Sequence, residues 1–159
     1  MTPPAPPLID DALAAFLQQG VAINLGTRNG RLEPHAAYVG AALVDPDRQH
    51  LTIYVPTLAA ASVLDDLTAN GQAAVVFARP EDDRACQVKG TFVAARPARD
   101  DEEALVRTQC DGFCRQLEII GMPGESTRPW VVWPATAVRL RVTAVFDQTP
   151  GPLAGAPLL

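Results

Sequence analysis

Long hydrophobic runs, paired cysteines and clusters of positive charge are all missing from this chain of 159 residues. No stretch of about 18 apolar residues occurs, so the sequence predicts no membrane-spanning helix. The formal net charge is −5. This argues against non-specific binding of nucleic acid, which needs clustered cations to neutralise phosphates. The first residues lack the basic and apolar stretches of a signal peptide, so we expect a cytoplasmic location.

Cysteine and histidine are both scarce. The chain has three cysteines, Cys86, Cys110 and Cys114, which is too few and an odd number for a disulfide framework. We expect buried, reduced thiols. Cys110 and Cys114 lie four residues apart and would share one face of a helix. The only histidines, His35 and His50, are distant in sequence, so no metal site is predicted.

The common catalytic signatures are missing. The only serines are Ser62 and Ser126, and neither lies in a G-x-S-x-G motif. No P-loop and no G-x-G-x-x-G fingerprint follows a strand. No carboxylate lies at a spacing from His35 that would orient it as a general base. We therefore interpret His35 as a strand residue satisfied by backbone or water, and expect any enzyme chemistry to come from a cofactor.

Hydrophobic periodicity and turn residues predict three helices and six strands. The helices span 9–20, 57–71 and 103–120, and the strands span 21–27, 34–44, 50–55, 72–78, 85–96 and 130–146. The last of these is either one long strand or two strands with a break near Pro134. The predicted helix-capping residues are Asp10 and Thr57 at starts, Gly20 and Asn70-Gly71 at ends, and Asp100 with Glu103 as a capping box. The face of the third helix that we expect to point inward carries Val106, Cys110, Phe113, Leu117 and Ile120.

Consecutive strands joined by short turns must be antiparallel neighbours, because a parallel pair needs a crossover of about a dozen residues. The sequence therefore predicts an α+β protein built on a six-stranded, mostly antiparallel barrel with flanking helices. Residues 8–147 form this domain, after a flexible, proline-rich lead-in at 1–7. The tail at 148–159 is either a disordered end or an ordered segment that crosses to a partner subunit.

Two strands carry a polar face. Because side chains alternate along a strand, one face of the fifth strand presents Gln87, Lys89 and Thr91, and one face of the last strand presents Arg139, Arg141 and Thr143. If the two polar faces meet, three cations line one surface and would suit a phosphate or an acidic partner. A solvent-exposed face explains the same pattern.

The order of these segments resembles a known family. The stretches "GVAINLGTRNGRLEPHAAYVGAAL", "LTIYV", "LDDLTANGQAAVVF" and "CQVKG", followed by "WPATAVRLRVTAVF", resemble the pyridoxamine 5'-phosphate oxidase-like proteins, the FMN-binding split-barrel superfamily. The resemblance covers roughly residues 8–97 and the closing strand. It implies a split barrel that forms a homodimer and binds FMN in a groove at the subunit interface.

The resemblance also implies a function and a set of site residues. The function is that of an FMN-dependent oxidoreductase acting on a small molecule, with NAD(P)H as a possible reductant. The flavin phosphate would lie near residues 34–38, which include His35, near residues 54–57, which include Tyr54 and Thr57, and near Ser62. The ring would contact Thr27, Arg28, Gln87 and Lys89.

The chain departs from the family where the phosphate is expected. The family's arginine, three residues after the hairpin proline, is Ala37 here, and its Ser-Arg-Lys cluster reads "TLAAAS". The phosphate would then rely on Thr57, Ser62 and free helix amides, or on Arg28, Lys89, Arg139 or Arg141. The alternatives are a non-catalytic flavin- or ligand-binding barrel and, less favoured, a haem-binding one. FAD and the deazaflavin F420 remain open beside FMN.

Overall fold

The computed structural model describes residues 8–127 and 130–158, so the predicted lead-in at 1–7 lies outside the described residues. The strands are β1 Ala22–Arg28, β2 Pro34–Tyr38, β3 Ala41–Val44, β4 His50–Pro56, β5 Gln72–Ala78, β6 Ala85–Pro97 and β7 Ala135–Asp147. The helices are α1 Asp11–Leu17, α2 Ala61–Asn70 and α3 Glu103–Ile119, and 3-10 turns span Thr57–Ala59, Asp100–Glu102 and Gly124–Ser126. No helix in the described ranges combines the length and the apolar character needed to cross a membrane.

The strands form one antiparallel sheet in the order β2-β1-β5-β6-β7-β4-β3. The prediction of six strands was wrong, because the expected second strand changes partners halfway. The amide of Val39 donates to the carbonyl of Ile23 on β1, and the amide of the next residue, Gly40, donates to the carbonyl of Tyr54 on β4. One continuous stretch therefore supplies both edge strands, and the sheet curls into a split barrel.

The inner face of the curled sheet holds the main core. It includes Leu25, Ile53, Val75, Phe77 and Leu140, all nearly or fully buried. Helices α1 and α2 pack against this face. Asp10 caps α1 as predicted by accepting a hydrogen bond from the amide of Leu13 at 2.7 Å. Gly71 ends α2 in the left-handed conformation, also as predicted.

Four details of the predicted helices were wrong. Helix α1 ends at Leu17 with Gln18 in the cap position, rather than at Gly20. Thr57 begins a 3-10 turn, and Ala60 occupies the cap position of α2 without a side-chain hydrogen bond. The turn before α3 is held by Glu102, whose carboxylate accepts the amide of Arg99 at 2.7 Å, rather than by Asp100 and Glu103. Ile120, expected to face inward, is exposed because α3 ends at Ile119.

Helix α3 covers the outer face of the sheet over β3, β4 and β7. A second core cluster forms beneath it from Ala41, Tyr54, Val106, Val132, Ala135 and Ala137. The buried amide side chain of Gln109 pairs with both backbone groups of Ala42, at 2.8 and 3.0 Å. The Gln109 side chain thus supplies hydrogen-bond partners to the edge strand β3, whose backbone N–H and C=O groups would otherwise be unpaired at this residue.

A partly buried ionic network anchors the start of α3. The carboxylate of Glu102 accepts two hydrogen bonds from the guanidinium of Arg96, each 2.7 Å long, and one from the hydroxyl of Tyr54 at 2.9 Å. These contacts tie α3 to β6 and β4. The network explains why Tyr54 and Glu102 are buried although both are polar.

The tail packs against its own chain. The amide of Leu158 donates to the carbonyl of Val145 at 2.8 Å, and the amide of Asp147 donates to the carbonyl of Ala156 at 2.9 Å. This segment therefore continues the sheet beside the end of β7, beyond the last residue that β4 pairs. Of the two alternatives for the tail, the disordered end does not hold for residues 148–158, and the crossing to a partner subunit stays a prediction.

We predict that Glu102→Gln lowers the free energy of unfolding by about 1.5–3 kcal/mol, the worth of hydrogen bonds to a charged group. The matched control is Glu103→Gln, which removes only the exposed pair with Arg107 and should cost about 0.5 kcal/mol or less. Urea unfolding followed by circular dichroism measures both. Equal losses in the two variants would contradict the assigned role of Glu102.

The same network predicts a dependence on pH. Hydrogen bonds from Arg96 lower the pKa of Glu102 to about 2, against about 4.3 in an unfolded chain. The carboxylate therefore stabilises the fold fully above the unfolded pKa, and this contribution is lost as the pH falls towards 2. Between pH 5 and pH 2 the free energy of unfolding of the native protein should fall by on the order of 2 kcal/mol more than that of Glu102→Gln. Equal decreases in the two proteins would contradict this role of the Glu102 carboxylate.

Candidate functional site

Two positively charged side chains flank a shallow cavity on the outer face of β1, β5 and β6. This cavity of about 320 Å³, which we name the cation cavity, is lined by Arg28, Gln72 and Lys89 around the small residues Gly26 and Ala74. Strand register places these groups side by side, since Gly26 pairs with Ala74 and Ala74 pairs with Lys89. Small residues leave a low floor on which a flat ligand can lie.

Neither cation of the cavity is neutralised. Arg28 donates only to the side-chain oxygen of Gln72 at 3.4 Å and the carbonyl of Asn29 at 3.3 Å. Lys89 is exposed, with its ammonium 5.2 Å from the centre of the Phe146 ring. Among residues 8–127 and 130–158, no carboxylate forms an ion pair with either side chain. Both charges are therefore available to an anion.

A larger apolar cavity lies on the same face, between the sheet and α3. This aromatic cavity has a volume of about 540 Å³ and is lined by Asn24 and Tyr38 from the sheet, Cys110 and Phe113 from α3, and the segment 130–132. Its volume falls in the range of small-molecule sites. The rings of Phe113 and Trp130 lie 5.6 Å apart at 31°. Aromatic walls with a few polar groups suit a planar ligand.

Tyr38 and Asn24 supply the polar groups of the aromatic cavity. They are register partners on β2 and β1. The hydroxyl of Tyr38 donates to the carbonyl of Val131, and partial burial raises the pKa of this hydroxyl. Tyr38 therefore holds the segment 130–132 against the sheet as a neutral donor.

Strand β1 connects the two cavities. Alternate residues of one strand share a face, so Asn24 at the aromatic cavity and Gly26 and Arg28 at the cation cavity point the same way. Asn24 and Arg28 lie roughly 13 Å apart along the strand, from a rise of about 3.3 Å per residue. An elongated ligand with a flat apolar end and an anionic end matches this arrangement.

The opposite face of β1 carries a buried polar cluster. The carboxylate of Asp66 on α2 accepts the hydroxyl of Thr27 at 2.7 Å and lies 2.8 Å from Nδ1 of His35. Burial raises the pKa of Asp66, but the hydrogen bonds from Thr27 and His35 outweigh it and the pKa is lowered. His35 is thus satisfied by a carboxylate rather than by backbone or water, which corrects the interpretation from sequence.

The remaining predicted site residues lie in different parts of the structure. Gln87 lies on the same face of β6 as Lys89 but outside both cavities. Thr57 and Ser62 are exposed near the start of α2, with Thr57 directed to the hydroxyl of Thr136 at 3.4 Å. Neither residue lines the cation cavity.

Tyr54 and Arg139 are committed to other partners. Burial, with the hydrogen bond to Glu102, raises the pKa of Tyr54 to about 12, and its side chain is fully buried. Arg139 donates to the carboxylate of Asp45 at 2.6 and 3.0 Å.

Within the described residues, Asp45 belongs to the one group of three potential metal ligands that lie close together, with Asp47 and His50. The oxygens of this group are already engaged. Arg139 holds Asp45, and Asp47 is bonded to His50 and to the amides of its own turn.

Sequence reasoning missed the aromatic cavity. Phe113 was placed in the core and Trp130 in a strand, whereas β7 begins only at Ala135, directly after the break considered at Pro134. The available signal was Asn24, an amide side chain within the apolar first half of β1.

We predict that Thr27→Val destabilises the protein by about 1–3 kcal/mol, because a buried carboxylate loses a hydrogen-bond donor. The matched control is Thr143→Val, also on a strand, whose exposed hydroxyl bonds to the carbonyl of Lys89 and whose loss should change stability by less than about 0.5 kcal/mol. Thermal unfolding at pH 7 measures both variants. A Thr27→Val protein as stable as the control would show that Asp66 does not need this donor.

Comparison with known proteins shows the fold. No protein-family model matches the sequence, and no curated protein matches it. An F420 reductase superposes with a TM-score of 0.55 at 17% identity, over 86% of this chain and 98% of that one. An FMN-binding protein from Syntrophomonas wolfei has a TM-score of 0.54 at 9% identity, over 84% and 82%. A candidate pyridoxamine 5'-phosphate oxidase from Lactobacillus delbrueckii has a TM-score of 0.52 at 17% identity, over 87% and 93%. At these identities the similarity confirms the split-barrel fold that the sequence resemblance implied.

Proposed function

We propose that this protein binds a flavin, FMN in the first instance, and acts as a flavin-dependent oxidoreductase on a small molecule. The observation that carries the proposal is the pairing of an aromatic cavity with two uncompensated cations on one face of β1. The names of structural neighbours that bind FMN or act with F420 support this cofactor class.

The side chains present fit the two ends of FMN. Arg28 and Lys89 would hold the phosphate, each contact being worth about 1.5–3 kcal/mol. Phe113, Trp130 and Tyr38 would enclose the apolar ring, and the amide of Asn24 would bond to its polar edge. This assignment keeps Arg28 and Lys89 from the predicted set and gives them the phosphate contact, which the sequence analysis left open for them beside a contact with the ring.

A bound flavin would supply hydride or electron transfer, and the chain would supply position and charge. A reduced nicotinamide is the reductant that we propose. The shallow cation cavity leaves a bound phosphate open to solvent on one side. A second copy of the chain, forming the proposed homodimer, would cover it and exclude water.

A non-catalytic flavin or ligand carrier is the second candidate, and Ala37 favours it. This residue is buried and apolar, so the phosphate contact of the resembling family is missing. The discriminating measurement is NADPH oxidation by the FMN-loaded protein. A rate no higher than that of free FMN would favour the carrier.

We predict that Arg28→Gln and Lys89→Gln each weaken FMN binding roughly 10- to 100-fold, the worth of one charge-assisted contact. Riboflavin has the same ring without the phosphate, so its affinity should be unchanged in both variants. Trp130→Ala should weaken FMN and riboflavin alike. Fluorescence titration of purified protein measures these affinities, with F420 and hemin titrated in parallel.

Arg31→Gln is the control for general electrostatics, since Arg31 is exposed in the β1–β2 hairpin outside both cavities. It should bind FMN as the native protein does. Failure of the native protein to bind FMN, or equal effects on FMN and riboflavin in the Arg28 and Lys89 variants, would overturn the assignment.

A further inference from the structure

Two thiols lie one helical turn apart on α3, away from the residues assigned to the flavin phosphate. Cys110 and Cys114 are both free and half-buried, and their spacing puts both thiols on one face of the helix. Both line a third cavity of about 400 Å³, which Arg107 and Arg115 flank, and Cys110 also borders the aromatic cavity. The pair is therefore open to a small ligand from this shared cavity.

Helix geometry disfavours a disulfide between these thiols. Residues four apart on a helix hold their Cβ atoms about 5–6 Å apart, whereas a disulfide needs about 3.5–4.5 Å. An ion bonded to two sulfurs spans the longer distance, since metal–sulfur bonds are about 2.3 Å each. We propose that Cys110 and Cys114 form a two-thiol site for a soft, thiophilic centre of low coordination number, such as trivalent arsenic.

The environment of the thiols defines the chemistry of binding. Burial and the neighbouring Cys114 raise the pKa of Cys110 to about 11, and the guanidinium of Arg107 acts in the opposite direction. The Cys110 thiol is therefore protonated at neutral pH. With phenylarsine oxide, two arsenic–sulfur bonds form, the arsenic–oxygen bond breaks, and the oxygen leaves as water with both thiol protons. No electron is transferred, so no further reactant is needed.

The test is a titration of the reduced, full-length protein with phenylarsine oxide. Binding is monitored by tryptophan fluorescence and by the mass of the intact, folded protein. We expect one arsenical per chain. Cys110→Ser and Cys114→Ser should each weaken binding roughly 100-fold or more, because the second bond of a chelate forms intramolecularly. This readout needs no flavin and stands independently of the proposed function.

Two controls separate the pair from general thiol reactivity. Cys86→Ser should bind as the native protein does, since Cys86 is a buried thiol in the inner core. The double variant Cys114→Ser/Arg115→Cys keeps three cysteines but moves one thiol off the shared helix face, and it should bind as weakly as Cys114→Ser. Circular dichroism verifies that each variant is folded. Absence of an adduct with the native protein, or tight binding by either single serine variant or by the double variant, would overturn the proposal.

Discussion

The architecture depends on an exchange of hydrogen-bond partners between two adjacent residues. Val39 bonds to β1 and Gly40 bonds to β4, so the two edges of the sheet belong to one uninterrupted stretch of chain. The exchange also sets the position of α3. A Cβ atom at residue 40 would meet side-chain atoms of Val106 and Val132 at 3.1 and 3.3 Å, closer than most real Cβ contacts. The missing side chain lets α3 and the segment 130–132 approach the bend, and their approach encloses the aromatic cavity.

Charge is compensated differently at buried sites and at the cation cavity. The buried ionisable groups have partners: Asp66 is bonded to Thr27 and His35, and Glu102 to Arg96 and Tyr54. Burying an uncompensated charge is costly, so these partners are a requirement of folding. At the cation cavity, neither Arg28 nor Lys89 forms an ion pair with a carboxylate in the described parts of the chain. This difference favours a role for the cation cavity in binding.

The sequence predicted those features of the fold that depend only on a residue and its neighbours along the chain. Asp10 begins α1 and Gly71 ends α2, because a cap depends on the residue and its immediate neighbours. Alternation placed Lys89 on an outward face. The exchange at Val39 and Gly40 has no such signal, since both halves of the stretch alternate as one strand does. The bond between His35 and Asp66 joins residues 31 positions apart, and only the packing of α2 brings them together.

The free energies of the available contacts indicate where an anion would bind. The start of α2, where the resembling family suggests a phosphate, offers free amides and a helix dipole worth about 0.3–1 kcal/mol to an anion. The same helix carries the buried carboxylate of Asp66, whose lowered pKa keeps it ionised and whose charge also acts on Arg28. Two charge-assisted contacts to Arg28 and Lys89 would contribute about 1.5–3 kcal/mol each. These magnitudes favour the proposed phosphate position at Arg28 and Lys89 over the helix terminus, and the alanines at residues 37 and 59–61 are compatible with a phosphate-bearing ligand that binds on β1 and β6.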